Sequence, residues 1–404
     1  MRRSVVDLRG RYPSQFWLLF WGMLLNAAGG SLVWPFLTIY VREQLAVPLT
    51  QVGLLLSVNS LAGFLGMTFA GPAADRFGRK GVMIVSLAAV AVSMFAMSLA
   101  SSLTAWFIIM FLNGVFGPLY RVGADAMVAD LVEADQRAGA YALLRMIANL
   151  GVAIGPAVGG FIASVSYTIA FYASAAATAV FALLLGTRAH ETLPARLDDA
   201  RPTDGGYGPV LRDRPFLGFV GVYALAGIAY IMMMVLMPVY AKENYGVPES
   251  QYGFILATNA AMVVLLQYAV TRRTERWAAI PVLAVGSVFY AVAVGMVGLS
   301  SAFLGFWISM VILTIGEMIM VPTSTTLAAN LAPNDMRGRY MGIYSAAWGI
   351  AIGIGPVFGG LLNDRVSPQA IWVGASCLAG LAAFGFVLLR RSSRLGLARQ
   401  AEAA

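Results

Sequence analysis

Of the 404 residues, 59% are hydrophobic and 11% charged, too little polar surface to cover a water-soluble core, so the chain must use lipid as its solvent. The formal charge of +8 is spread as arginines over many loops rather than clustered with aromatics, which argues against a nucleic-acid partner. A single cysteine, Cys377, and a single histidine, His190, exclude an intrachain disulfide and speak against a Cys/His metal centre or a Cys-His catalytic pair.

Twelve apolar stretches are each long enough to cross a ~30 Å hydrocarbon layer as a helix. They lie near residues 16–40, 51–73, 81–100, 104–129, 139–163, 167–187, 215–240, 251–270, 279–300, 303–329, 339–363 and 369–390. Their length and their Leu, Ala, Met and Gly content predict helices, not barrel strands. Arg2, Arg3, Arg9 and Arg11 precede the first stretch, which runs on through Trp34-Pro35-Phe36 and reads as an uncleaved helix.

Twenty-two of the 27 lysines and arginines fall on the face shared by both termini, which predicts that both termini are cytoplasmic; a multi-pass place in a bacterial inner membrane is the expected location. The polar, Pro- and Gly-containing stretch 188–214 reads as a cytoplasmic linker. The expected organisation is a six-helix bundle over 1–187, that linker, and a second six-helix bundle with a short cytoplasmic tail over 215–404.

The halves are copies. Residues 40–59, YVREQLAVPLTQVGLLLSVN, recur at a shift of 200 as YAKENYGVPESQYGFILATN, so Tyr40, Glu43, Gln51, Gly53 and Asn59 fall on Tyr240, Glu243, Gln251, Gly253 and Asn259. The same shift carries Gly155-Pro156-x-x-Gly159-Gly160 onto Gly355-Pro356-x-x-Gly359-Gly360. A direct repeat with an even number of spans makes two parallel units related by an axis along the membrane normal, an architecture of transporters.

Two tracts carry mechanism. Between the second and third spans stands Gly71-Pro72-Ala73-Ala74-Asp75-Arg76-Phe77-Gly78-Arg79-Lys80. Small residues there suit close helix approach, Asp75 can accept from a helix end, and the basic cluster sits at a lipid surface. On the fifth span lies Gly151-x-x-x-Gly155-Pro156-x-x-Gly159-Gly160, whose recurrence on the eleventh span points to a part in packing geometry.

The first tract resembles the signature loop of the major facilitator superfamily, and the second resembles a motif of its twelve-helix drug:proton antiporter branch. The resemblance implies an all-α membrane protein, twelve transmembrane helices in two six-helix pseudo-symmetric bundles. One histidine, one cysteine and scattered acids offer no reactive constellation for an enzyme, and a phosphate-cradling motif is missing from the sequence; no cofactor is expected, and the resemblance favours the proton gradient over sodium as the drive. The loop would act as a conformational latch, with Asp75 facing the N-terminal end of the eleventh span and Arg76 pairing with Asp130. One departure stands out: where that branch commonly carries an arginine four residues before a glycine of the fourth span, Met110 precedes Gly114 here.

Charges inside the membrane are costly and are functional candidates by default. Arg121 and Asp125 stand one turn apart on the fourth span, where they can pair, and Arg145 on the fifth can compete for the same carboxylate. These serve as a gating cluster or in proton movement. Glu317 lies alone near the middle of the tenth span; its partner in the repeat is Gly117, so it is an addition to the duplicated scaffold. Its tract resembles the tenth span of drug/proton antiporters in which such a glutamate binds a proton or a cationic substrate. Proton coupling is therefore expected at Glu317 and Asp125.

The family implies cavity walls from spans 1, 4, 7 and 10, with Asn26, Trp34, Tyr120, Tyr223, Tyr230, Met233 and Glu317 as lining candidates. Aromatics stack on cations and methionines adapt to varied shapes. The expected activity is proton-coupled export of lipophilic, cationic compounds by a monomer in contact with membrane lipids. The alternative is export or flipping of one metabolite or lipid.

Overall fold

The computed structural model describes residues 11–133, 135–193, 207–333 and 336–390. Among them it contains twelve helices long and apolar enough to cross a membrane. They are α1 Ser14–Leu45, α2 Leu49–Phe77, α3 Arg79–Leu99, α4 Leu103–Leu131, α5 Arg137–Val165, α6 Tyr167–Arg188, α7 Arg214–Tyr245, α8 Glu249–Thr274, α9 Ala279–Leu299, α10 Phe303–Leu331, α11 Arg337–Arg365 and α12 Ala370–Leu389. The expected linker is described only at its ends, where a short helix, Gly208–Arg212, precedes α7; residues 194–206 lie outside the described part. Long apolar side chains such as Leu61, Phe69, Val92, Leu183, Leu265 and Leu299 are exposed, as they must be where lipid replaces water.

α1 is interrupted after Ser31 by a 3₁₀ turn at Trp34–Phe36, built on Pro35, before it resumes at Leu37. Prolines also sit within α2, α4, α5, α7, α10 and α11. Membrane helices tolerate them when neighbouring side chains take up the freed backbone groups. α4 shows how: near Pro118, Ser86 Oγ of α3 donates to Phe116 O at 2.6 Å and accepts from Tyr120 N–H at 3.0 Å. The hydroxyl stands in the helix ladder at that turn.

Contacts divide the chain into two units, residues 1–40 with 58–200, and residues 41–57 with 201–404. The packing inside them repeats as the sequence does. α1 packs on α5 and α6, and α3 on α4 and α6; correspondingly, α7 packs on α11 and α12, and α9 on α10 and α12.

In the first unit the glycine motif is the α1–α5 interface. A Cβ at Gly151 would lie 2.8 Å from Ala27 Cβ, one at Gly155 2.3 Å from Ser31 Cβ, and one at Gly159 2.5 Å from Leu32 O. Pro156 and Gly160 are buried alongside them.

In the second unit, segment 41–57 is tied down by ions and helix ends. Arg42 Nε meets Glu243 Oε1 at 2.8 Å, while Lys242 bonds both Glu43 and Glu249. Arg42 matches Lys242 and Glu43 matches Glu243 in the repeat, so the pairs Arg42–Glu243 and Glu43–Lys242 are reciprocal. Asp364 at the end of α11 accepts from the Leu49 and Thr50 amides at 3.2 and 2.8 Å, capping the start of α2.

Candidate functional site

The signature loop sits at the junction of α2 and α3. Gly78 holds φ +86, a left-handed backbone, and a Cβ there would lie 2.3 Å from the Glu191 carboxylate, so only glycine fits. Glu191 follows α6 and accepts from the first two amides of α3, Arg79 N at 2.9 Å and Lys80 N at 3.0 Å, as an acid should at a helix N-terminus. Burial pushes its carboxyl up, but bonds from the Leu193, Arg79, Thr192 and Lys80 amides outweigh it, and the net shift is downward. Lys80 Nζ reaches Gly186 O at 2.9 Å, a free carbonyl near the end of α6.

The expected Arg76–Asp130 pair is corrected. Arg79 holds Asp130, Nε to Oδ2 at 3.1 Å, and also meets Asp75 at 3.2 Å and Ala74 O at 3.1 Å. Arg79 starts α3 and is buried, facing the end of α4; Arg76 ends α2, exposed, with its guanidinium 5.4 Å from the Phe77 ring. Thr192 also bonds Asp130, at 3.0 Å. At Gly71 a Cβ would meet nothing within 4 Å, so close packing does not account for that glycine.

The charges of α4 and α5 do not pair as expected. Arg121, Asp125 and Arg145 are exposed, and among the described residues no ion pair joins either arginine to Asp125. Instead Tyr141 Oη of α5 donates to the Asp125 carbonyl at 2.8 Å, tying the helices through backbone.

Glu317 of α10 is fixed by the repeated asparagine. Asn259 Nδ2 of α8 donates to Glu317 Oε2 at 2.8 Å and to Thr314 Oγ1 at 2.9 Å. The Tyr230 hydroxyl of α7 faces the same carboxylate. Around it run aromatics: Tyr230 lies 5.5 Å from both Tyr290 and Trp348, and Tyr223 stacks on Tyr344 at 5.1 Å. Trp348, Tyr344 and Tyr290 were not singled out from the sequence; an aromatic inside an apolar span carries no mark separating site from packing. Met233, expected at the cavity wall, is instead fully buried, on a helix packed against α9, α11 and α12.

In the first unit Asn26, Trp34 and Tyr120 do come together, around a cavity of about 180 Å³. Asn113, Ser174 and Thr178 share its wall and were missed, although a polar residue within a span is the signal that finds them. Asn59, the repeat partner of Asn259, donates to Asn113 Oδ1 at 3.2 Å and to Met110 O at 2.9 Å.

A carboxylate, an amide and tyrosines gathered inside apolar helices, in a duplicated six-helix scaffold, define a membrane transporter rather than an enzyme. The sequence profile of the Major Facilitator Superfamily matches residues 19–248 and 219–403, and the chain belongs to that family. It is 30% identical over 368 residues to an uncharacterized MFS-type transporter, YttB, of Bacillus subtilis (strain 168), covering 89% of this chain and 91% of that one. A Na(+), Li(+), K(+)/H(+) antiporter of Planococcus maritimus is 28% identical, covering 81% and 84%. The multidrug resistance protein MdtH of Yersinia pestis (strain Pestoides F) is 28% identical, covering 92% and 94%. The crystal structure of the nucleoside transporter NupG shares the fold, with a TM-score of 0.77 at 14% identity over 94% of this chain and all, 100%, of that one.

Proposed function

We propose that this transporter is a proton-coupled exporter of lipophilic cations, with Glu317 as the residue that carries either the cation or the proton. The observation that carries the reading is the Glu317 carboxylate held by Asn259 at 2.8 Å among Tyr230, Tyr290 and Trp348. A carboxylate attracts a cation, and flanking rings add cation–π attraction and apolar contact for its lipophilic body. When a proton takes the carboxylate, the charge that held the cation is gone, and the cation leaves. Binding of proton and cation to one group is therefore competitive, which is what exchange requires. The relatives named for multidrug resistance and for cation/proton antiport support this reading. The excess of arginine and lysine on one face supports placing both termini in the cytoplasm.

The test is ethidium accumulation in proteoliposomes under an imposed pH gradient, comparing the intact chain with Glu317→Gln. Gradient-driven uptake that collapses with a protonophore and with the substitution is expected. Uptake that persists in Glu317→Gln refutes the role of Glu317. No gradient-dependent movement of ethidium by the intact chain refutes cation export and favours a specific metabolite or lipid. Uptake driven by sodium but not protons assigns the coupling to the other ion.

A further inference from the structure

The basic tract between α2 and α3 and its counterpart between α8 and α9 have parted chemically. In the first copy the charge is met inside the protein: Arg79 pairs with Asp130 and Asp75, and Glu191 takes the Arg79 and Lys80 amides. At the shift of 200 Asp130 becomes Asn330 and Glu191 becomes Arg391, so both of these acids are gone from the second copy. Its arginines are not. Arg272 and Arg273 close α8 and Arg276 follows in the turn to α9, all three exposed. Among the described residues none of the three makes a side-chain hydrogen bond or an ion pair, even with Glu275 beside them. Cations suit the last turn of a helix, but these bond none of its terminal carbonyls. Three cations within five residues thus lack the fixed counter-charge that the first copy supplies to its own.

We propose that this patch is a docking site for an anionic phospholipid, its phosphate held by Arg272, Arg273 and Arg276. The planar guanidinium fork pairs with phosphate oxygens two at a time, which suits arginine to this ligand. Depth is set by two exposed aromatics, Trp277 and Tyr268, because Trp and Tyr concentrate where hydrocarbon meets headgroups. Leu265, Tyr268 and Arg272, spaced by three and four residues, share one face of α8, and the first two are each 76% exposed. That face passes from apolar side chain to ring to cation in the order in which a lipid passes from acyl chain to phosphate. A fourth arginine borders it. Ser376 Oγ of α12 donates to Ala291 O of α9 at 2.9 Å, and equal steps from that contact along the two antiparallel helices lead to Arg390, also exposed, and Trp277. A zwitterionic lipid brings its own cation and gains less from such a patch than a lipid with net negative charge. The inference needs only the membrane spans, not the transport reading.

The test is native mass spectrometry of the full chain released from mild detergent, with dioleoyl phosphatidylglycerol and dioleoyl phosphatidylcholine added at equal concentration. Each basic residue at an anionic lipid surface contributes about fivefold in binding, so the glycerol lipid should be retained preferentially. The preference should fall about tenfold or more when Arg272→Gln, Arg273→Gln and Arg276→Gln are combined. Those side chains bond nothing within the protein, so the variant should elute from size exclusion as the intact chain does. The corresponding Arg→Lys triple, which keeps the charge, should keep most of the preference. Arg188→Gln, Arg212→Gln and Arg337→Gln together remove the same charge from exposed arginines elsewhere and should leave the preference in place. Glu317→Gln should also leave it in place, which separates this site from the proton-coupling reading. Equal retention of the two lipids by the intact chain overturns the proposal. An equal loss in both glutamine triples overturns it and assigns the retention to net charge alone. Displacement of the lipid by an equal concentration of glycerol phosphate, a headgroup without chains, overturns it in favour of a soluble phosphate ester.

Discussion

Gly155→Ala tests the closeness of α1 and α5 most directly. The added methyl would lie 2.3 Å from Ser31 Cβ, more than an ångström inside ordinary contact, and 2.9 Å from Ala28 O, about half an ångström inside it. Neither neighbour can swing aside, since one is a Cβ and the other backbone, so the helices must part. Overpacking of this kind costs about 1–3 kcal/mol. At roughly 2–4 °C per kcal/mol for units of this size, a fall of about 2–12 °C in the unfolding temperature is expected. The assay is fluorescence-detected size exclusion after heating in mild detergent, with Gly151→Ala and Gly380→Ala in parallel. Gly151 should cost less, because its nearest contact is 2.8 Å; Gly380, with nothing within 4 Å, should be neutral or slightly stabilising. Equal melting of Gly155→Ala and Gly380→Ala would refute the packing argument and return the motif to a purely mechanistic role.

Arg79→Ala should destabilise the protein more than Arg76→Ala in the same melting assay, since the buried Arg79 side chain bonds Asp130, Asp75 and Ala74 O at once, whereas Arg76 is exposed. Glu191 carries a pH signature. Its carboxyl is held below the ordinary value near ~4.3, so its contribution is complete at neutral pH and is lost as the pH falls through the lowered native value. Relative to the intrinsic exchange rate at each pH, protection of the amides at the start of α3 should fall in acid in the intact chain, and Glu191→Gln should show the lower protection already at neutral pH. Reversing one partner of the reciprocal ion pairs, Arg42→Glu, should lower the melting temperature by a few degrees at most, because the pair is partly exposed, and Glu243→Arg should restore it. Failure of the double reversal to recover would mean that the pair contributes shape, not charge.

The number and extent of the helices were legible because twenty apolar residues in a row have few other fates, and a repeat at constant shift leaves no room for insertions. Glu317 was legible for a related reason: a lone acid inside a span advertises its own cost. The Arg79–Asp130 pair was not, since Arg76 and Arg79 lie one turn apart across a helix break, and only the left-handed Gly78 decides which faces the end of α4. Met233 was not legible as a buried residue, because a methionine on a helix reads alike whether it faces a cavity or the core. Asp364 and Glu191 were hidden by distance in sequence, each capping a helix more than a hundred residues away.

Asn59 and Asn259 are one residue duplicated. Each bridges the second helix of its copy to the fourth, but the first ends on a neutral amide, Asn113, and the second on an acid, Glu317, whose counterpart is Gly117 at the rim of the uncharged cavity. Duplication thus supplied two editions of one polar brace, and a single acidic substitution was enough to separate their chemistry. One copy holds a carboxylate inside the membrane where the other keeps an uncharged interior. The brace between the second and fourth helices of each copy is thus a position at which one half can change its chemistry while the contact between the helices is kept.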